Sequence, residues 1–137
     1  WCVYNNIYQP STFFSKHVSV LCEGKHYKGY SFFQEGITPQ WEDEKNKEGS
    51  EWGCKQIAND IDMIMKNLML ACIGGKMPMV AGIRIIDKSI HARIAHKIEI
   101  WMLEDANTID TYSTIRQVIS PASLHFSLQS HKRLTSN

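Results

Sequence analysis

The strongest constraint in this sequence is an apolar stripe of helical period. Ile57, Ile61, Ile64, Leu68 and Cys72 recur every three or four residues, and Gly74-Gly75 follows as a stop. A helix over residues 57–73 with one such face is stable only against another apolar surface, and most of the remaining chain reads as strands that supply one. Strand-like stretches fall at residues 1–4, 30–33, 51–55, 80–86, 90–95, 98–103 and 124–129, where β-branched and aromatic residues concentrate. A helix is also expected over residues 108–119, capped by Asn107, with Ile109, Tyr112, Ile115 and Ile119 inward and Pro121 ending it. Another is expected over residues 11–21, with Ser11 or Thr12 as cap and Phe13, Phe14, His17 and Val18 available for one face. Helices and strands mix without a βαβ rhythm, which predicts an antiparallel α+β domain.

At 137 residues the chain fits one domain with one site. Fifteen Lys and Arg against fourteen Asp and Glu give a net charge of +1, which excludes the basic excess of a protein that coats nucleic acid nonspecifically. Any nucleic-acid contact has to be local. Cys2, Cys22, Cys54 and Cys72 are scattered, with no CxxC pair, so free thiols in a reducing, cytoplasmic setting are expected. No apolar run reaches the roughly 20 residues that span a bilayer, since Asn59, Asp60, Asp62, Lys66 and Asn67 interrupt the longest. The chain opens at Trp1, and it is read as part of a longer sequence.

The unusual segment is GITPQWEDEKNKEGSEW, residues 36–52. It is too polar for a core, and Pro39 and Gly49-Ser50 mark it as a loop leading into a strand. A Trp beside a Glu in such a loop has two readings. Trp41 packs under the loop, or a flat ligand stacks on Trp41 while the Glu42 carboxylate accepts hydrogen bonds from the ligand's edge.

This segment resembles the motif of the translation initiation factor 4E family, in which a Trp-Glu pair follows a Pro and precedes an Asn, a small-residue pair and another Trp. Further matches span nearly the whole chain. They are Trp1-Cys2-Val3-Tyr4 with the first strand, His17 with a first-helix histidine, Tyr30-Ser31-Phe32-Phe33, residues 70–74 with the end of the second helix, Lys97-Ile98-Glu99-Ile100-Trp101, and Leu128-Gln129-Ser130-His131. The resemblance implies a cup-shaped domain over residues 1–137, with a curved antiparallel sheet backed on its convex face by three helices. It implies binding of the 7-methylguanosine cap of messenger RNA on the concave side, with Trp41, Glu42 and Trp101 at the base and Lys97 and Arg93 at the phosphates. Lys88 is the substitute for Arg93, and Lys132 and Arg133 lie where family loops approach the phosphates or the second nucleotide. The partners implied are capped messenger RNA and a 4G-like scaffold or 4E-binding repressor, received on a convex face that includes Phe13, His17, Lys66 and Leu70. The implied protein is a cytoplasmic initiation factor, or one that also enters the nucleus, without enzymatic activity, cofactor, metal or membrane.

The sequence departs from the family pattern at four places, one being Thr12 or Phe13, which falls where the family has the first-helix Trp of the partner face. The loop carrying the first of the two stacking tryptophans is not found between Tyr4 and the first helix, so either it is omitted from this sequence or another aromatic, Tyr8, replaces it. Glu51 stands where the family commonly has an arginine that supports the phosphates, and Lys66 stands where it has a leucine that receives the partner. Two competing functions are weighed. Glu42-Asp43-Glu44 read as an acidic metal site would make a cap phosphohydrolase, but consecutive carboxylates on an extended chain do not face one ion. Cys22 with His26, or His91 with His96, have ligand-like chemistry and complete no four-ligand set. A repressive paralogue that binds caps and recruits no scaffold stays open.

Overall fold

A computed structural model of the protein describes residues 1–4, 29–57, 59–90, 93–104 and 107–131. Six strands, β1 (Cys2–Tyr4), β2 (Gly29–Phe33), β3 (Ser50–Ile57), β4 (Val80–Asp87), β5 (His96–Met102) and β6 (Ser127–Ser130), form one curved antiparallel sheet in the order β1-β2-β4-β5-β3-β6. Helices α1 (Ile61–Ile73) and α2 (Thr108–Ile119) complete the described α+β architecture. The helix expected over residues 11–21 lies outside the described residues, and Tyr8, Phe13 and His17 with it.

Alternation along the strands divides the sheet into two chemically different faces. Ile98 and Ile100 of β5, Ile83 and Ile85 of β4, Cys54 of β3 and Tyr30 and Phe32 of β2 share one core with Ile61, Ile64, Met65, Leu68 and Cys72 of α1 and Ile115 and Ile119 of α2. The intervening positions belong to the opposite face, where Arg84 pairs in register with Glu99, Gly82 with Trp101, and Glu51 with Trp101. A smaller core of Tyr4, Phe33, Ile37, Ala81 and Trp101 lies there.

Four expectations need correction. Ile57 ends β3 rather than starting a helix. It is buried in the main core, but Asp60, at a φ of 58°, turns the chain so that α1 begins at Ile61. The stripe is therefore shared by two elements, which a spacing count does not separate. Of residues 90–95, the described ones, 90 and 93–95, do not form a strand. Ile90 and Arg93 exchange backbone hydrogen bonds of 3.1 and 3.0 Å beyond the end of β4, and the side chains of Ile90 and Ile94 face solvent. Asn107 caps α2 through a 3.1 Å hydrogen bond from the Asp110 N–H, but Ile109 in that first turn is 78% exposed rather than inward, and only Ile115 and Ile119 are fully buried. The last strand is shorter than residues 124–129 suggest and begins at Ser127, after buried Phe126.

These differences set an expected contrast in stability. Leu68→Ala, which empties a fully buried position between α1 and the sheet, lowers the unfolding free energy by about 2–5 kcal/mol. Ile109→Ala changes it by about 0.5 kcal/mol or less in urea titrations, and a larger loss would restore Ile109 to the core.

Candidate functional site

The polar segment between β2 and β3 holds itself together. Asp43 accepts hydrogen bonds from the Thr38 N–H (2.9 Å), the Thr38 hydroxyl (2.8 Å) and the Lys45 N–H (2.9 Å). Partial burial would raise its carboxyl, but these bonds outweigh that and hold it below the usual carboxylate range. Asn46 is fully buried and donates through Nδ2 to the carbonyls of Thr38 (2.7 Å) and Gln40 (2.9 Å). The Asn46 carbonyl lies 2.8 Å from His131 Nδ1 and accepts the Gly49 N–H at 2.9 Å, which ties the loop to the end of β6. At Gly49 a side chain would collide with the Met102 carbonyl, so the glycine lets the loop pass close over β5.

These bonds span Trp41 and Glu42 without using their side chains. Trp41 is half-buried against the smaller core, and Glu42 is exposed. Both line an open cavity of about 490 Å3, with Pro39, Gln40, Arg84 and Trp101. Trp41 packs under the loop and also presents to the cavity, so its packing leaves the stacking reading open. Trp101 is different, being 0% exposed and set into the sheet as a wall of the cavity. Its ring meets Phe33 (5.4 Å, 86°) and His131 (4.6 Å, 60°) edge to face, and its indole N–H donates to Glu99 Oε1 at 3.1 Å. Opposite it, Gly82 leaves the space that the Phe33 ring occupies.

Charge on this face centres on Glu99. Lys97 Nζ lies 2.7 Å from Oε2 and Arg84 Nη1 3.3 Å from Oε1, while the Arg84 guanidinium carbon sits 5.3 Å from the Trp101 ring. Burial alone would raise the Glu99 carboxyl, but Lys97, Arg84 and the Trp101 indole hold it below the usual range. Glu51, 4% exposed, is pushed up to about 7 by its burial and by the negative charge of Glu99, against the pull of Lys97 and Arg84. His131 is lowered, because burial disfavours its charged form more than the Asn46 carbonyl and Glu99 favour it. Lys97 and Glu51 line a second open cavity, of about 460 Å3, with Lys55, His125, Ser127 and Gln129.

Of the basic residues anticipated, Lys97 is on this face, whereas Lys88 and Arg93 are exposed on the β4–β5 hairpin and line neither cavity. Lys132 and Arg133 lie outside the described residues. Lys66 is exposed on α1, as are Leu70 (55%), Met63 and Ile73. Among the described residues no group of three or more His, Cys, Asp and Glu is placed to hold a metal ion, and Cys22, His26 and His91 lie outside them. Within Glu42-Asp43-Glu44, Asp43 is engaged by the loop while its neighbours are exposed. Arg84, Glu99 and Asn46 were not anticipated as site residues. A signal existed for two of them, because Ile83-Arg84-Ile85 and Ile98-Glu99-Ile100 each place one charge inside an apolar strand, which marks a polar site on the opposite face.

Comparison with known proteins gives one consistent result. The family model described as eukaryotic initiation factor 4E matches residues 1–136. Eukaryotic translation initiation factor 4E of Xenopus laevis is 31% identical over 144 residues, covering 96% of this chain and 60% of that protein. The Homo sapiens protein is 35% identical over 78 residues, covering 54% of this chain and 31% of its own length. The chain thus spans well under two thirds of the curated relatives it matches. Among solved structures, C. elegans eIF4E-3 in complex with the 4E-binding protein Mextli aligns over 90% of this chain and 76% of its own, with a TM-score of 0.64 and 21% identity. The complex that also contains a cap analog gives 0.66 and 22%, over 91% of this chain and 76% of its own. At that identity the likeness is one of fold.

Asn46 supplies the check on how the site is held. Asn46→Ala removes both loop-spanning donations and leaves a void at a fully buried position, so it is expected to cost about 1–3 kcal/mol in urea unfolding. It should also change the Trp emission of the native state, since Trp41 directly follows the tethered Gln40 in the span that Asn46 closes. Unchanged stability and emission would mean that other contacts hold the loop.

Proposed function

The chain belongs to the eukaryotic initiation factor 4E family, and on that premise we propose that its concave face binds the 7-methylguanosine cap of messenger RNA. Residues 1–137 act as one cap-binding domain that supports translation initiation by presenting its helical face to a scaffold protein. The single observation that carries this reading is the meeting of Trp41 and Glu42 in one cavity, on a loop whose hydrogen bonds leave both side chains available.

Methylation at N7 puts a positive charge on a purine that still offers a ring N–H and an amine along one edge. An indole face attracts such a ring, with about 1–3 kcal/mol from stacking and about 2 kcal/mol from the cation when desolvated. The Glu42 carboxylate accepts from the two donors in charge-assisted hydrogen bonds of about 1.5–3 kcal/mol each, and rejects bases that lack them. Trp101 closes the cavity beneath the base rather than stacking freely, because its ring is committed to Phe33, His131 and Arg84. The phosphates fall to Arg84 and Lys97, with Lys88 and Arg93 at the outer hairpin. The roles are those of a binder, with no nucleophile or acid–base pair engaged, and the place of action is the cytoplasm, where capped messages are translated.

The scaffold partner is supported by the exposed apolar stripe Met63, Leu70 and Ile73 on α1. A complex of the related fold with a 4E-binding protein supports it as well. Lys66 sits on that exposed face and favours an acidic residue on the incoming helix over a leucine.

Two measurements test these roles. In Trp fluorescence titrations 7-methylguanosine triphosphate quenches strongly and guanosine triphosphate far less. Glu42→Gln weakens the methylated ligand by a few kcal/mol in a protein that stays folded, since the amide turns a donor toward the guanine edge. Equal responses to the two nucleotides would remove the cap reading. On the other face, Lys66→Leu tightens binding of an amphipathic scaffold peptide carrying leucine anchors and leaves cap affinity unchanged. Equal peptide affinities in the two proteins would take Lys66 out of partner choice.

A further inference from the structure

Beside the base cavity the same sheet face continues into the second cavity, and Glu51 stands at the junction. It pairs in register with Trp101, so the two side chains are neighbours on one face, one walling the first cavity and the other the second. A ligand whose base lies against Trp41 and Trp101 and whose charged chain extends along this face meets Lys97 and Glu51 next. Glu51 is buried, and its Oε2 has no hydrogen-bond partner among the described residues. A buried acceptor left empty at the mouth of a cavity is costly unless it is protonated or meets a donor.

We propose that Glu51 is a specificity-determining residue of the cleft: its carboxylate rejects a fully ionised phosphate chain, and the cleft accepts that chain together with a proton on Glu51. This rests on the cap-binding reading above. The charges facing Glu51 come from every neighbouring element: Glu99 and Lys97 of β5, Arg84 of β4, Lys55 of its own strand, and His125 beside β6, with His131 beyond Trp101 held neutral. Glu99 is the carboxylate that stays ionised, because Lys97 and Arg84 bind it directly. The proton therefore goes to Glu51, whose carboxyl is pushed up to about 7 before any ligand arrives. With Glu51 ionised, Glu51 and Glu99 offset Arg84 and Lys97, and Lys55 is the cation left to face a phosphate. With Glu51 protonated, one further positive charge is left over, and the carboxyl gains an O–H, shared with Glu99, for which a phosphate oxygen can compete. The sign follows: the affinity gained from the phosphates rises as pH falls through about 7 and is smallest above it.

The test compares wild type with Glu51→Gln, an isosteric change that keeps a donor and removes the charge. Kd is measured from pH 6 to pH 8 for 7-methylguanosine and for the dinucleotide 7-methylguanosine(5′)triphospho(5′)guanosine. The quantity read is the ratio of the two affinities within each protein. Wild type is expected to lose about tenfold of this ratio between pH 6 and pH 8, and Glu51→Gln to hold the higher ratio throughout. Titration of the ligand affects both proteins equally and cancels. Calorimetry of the wild type in two buffers of different ionisation enthalpy gives a second readout that needs no variant, and it should show more proton uptake at pH 7 with the dinucleotide than with the nucleoside. Nucleoside binding with the same ratio and pH profile in both proteins, or no extra proton uptake, overturns the role of Glu51 and leaves the cap reading in place. Absence of binding of both ligands by the wild type overturns the cap reading and this inference with it.

Discussion

The buried carboxylate of Glu99 is the interaction on which the binding face depends. It is almost inaccessible to solvent, yet three donors from three side chains converge on it: Arg84 from the next strand and Lys97 and Trp101 from its own. Removing one partner from such a cluster typically costs about 3–5 kcal/mol, because the remaining charge is then buried and uncompensated. Through Glu99 the cations are fixed in place and the Trp101 indole is held in the sheet. Through Trp101 the Phe33 and His131 rings are fixed, and His131 in turn meets the carbonyl of Asn46 in the loop between β2 and β3. Base cavity, loop and phosphate side are therefore linked by one chain of contacts.

The loop solves a different problem. A polar segment of this length between two strands would ordinarily be solvated and mobile, and a Trp-Glu pair on it would be poorly aimed. Asp43 and Asn46 replace that freedom with side-chain to backbone hydrogen bonds that mimic secondary structure, and Gly49 brings the segment against β5. The ordering cost is met within the loop. Trp41 and Glu42 keep their hydrogen-bonding and stacking capacity for a ligand, which is the condition for preorganised recognition.

Much of this was legible in the sequence. The α1 stripe, the antiparallel α+β class and the Asn107 cap rest on local spacing and capping chemistry, which survive folding unchanged. The Trp41-Glu42 pair stood out because aromatic and acidic groups side by side in a loop conflict locally. What was not legible depends on where turns fall. Ile57 kept the helical spacing while belonging to β3, Ile109 kept it one turn too early to reach the sheet, and residues 90–95 alternated like a strand although the β4–β5 hairpin turns there. Arg84 escaped notice for a related reason, since its place beside Trp101 follows from the cross-strand register with β5. Lys97 matched the family position directly, and it lies within β5, where alternation puts it on the face of the second cavity; Arg93, the expected partner arginine, and Lys88, its substitute, lie on the exposed hairpin.

The same alternation gives one small sheet two chemically independent faces, which is what the proposed pair of partners requires. Ile98 and Ile100 bind the sheet to α1 and α2, and the residues between them, Lys97, Glu99 and Trp101, form the opposite face, so substitutions on one side leave the other's contacts intact to first order. The faces differ in how they spend their polar groups. On the helical side Lys66 and Leu70 are exposed and free to adapt to an incoming helix. On the opposite side Arg84 and Lys97 already have a carboxylate, so an anionic ligand would share them with Glu99 rather than capture them outright. Affinity there is a difference between two charge arrangements of similar energy. For that reason a single additional carboxylate, Glu51, has leverage over the ligand's charge that it would lack in a site with cations to spare.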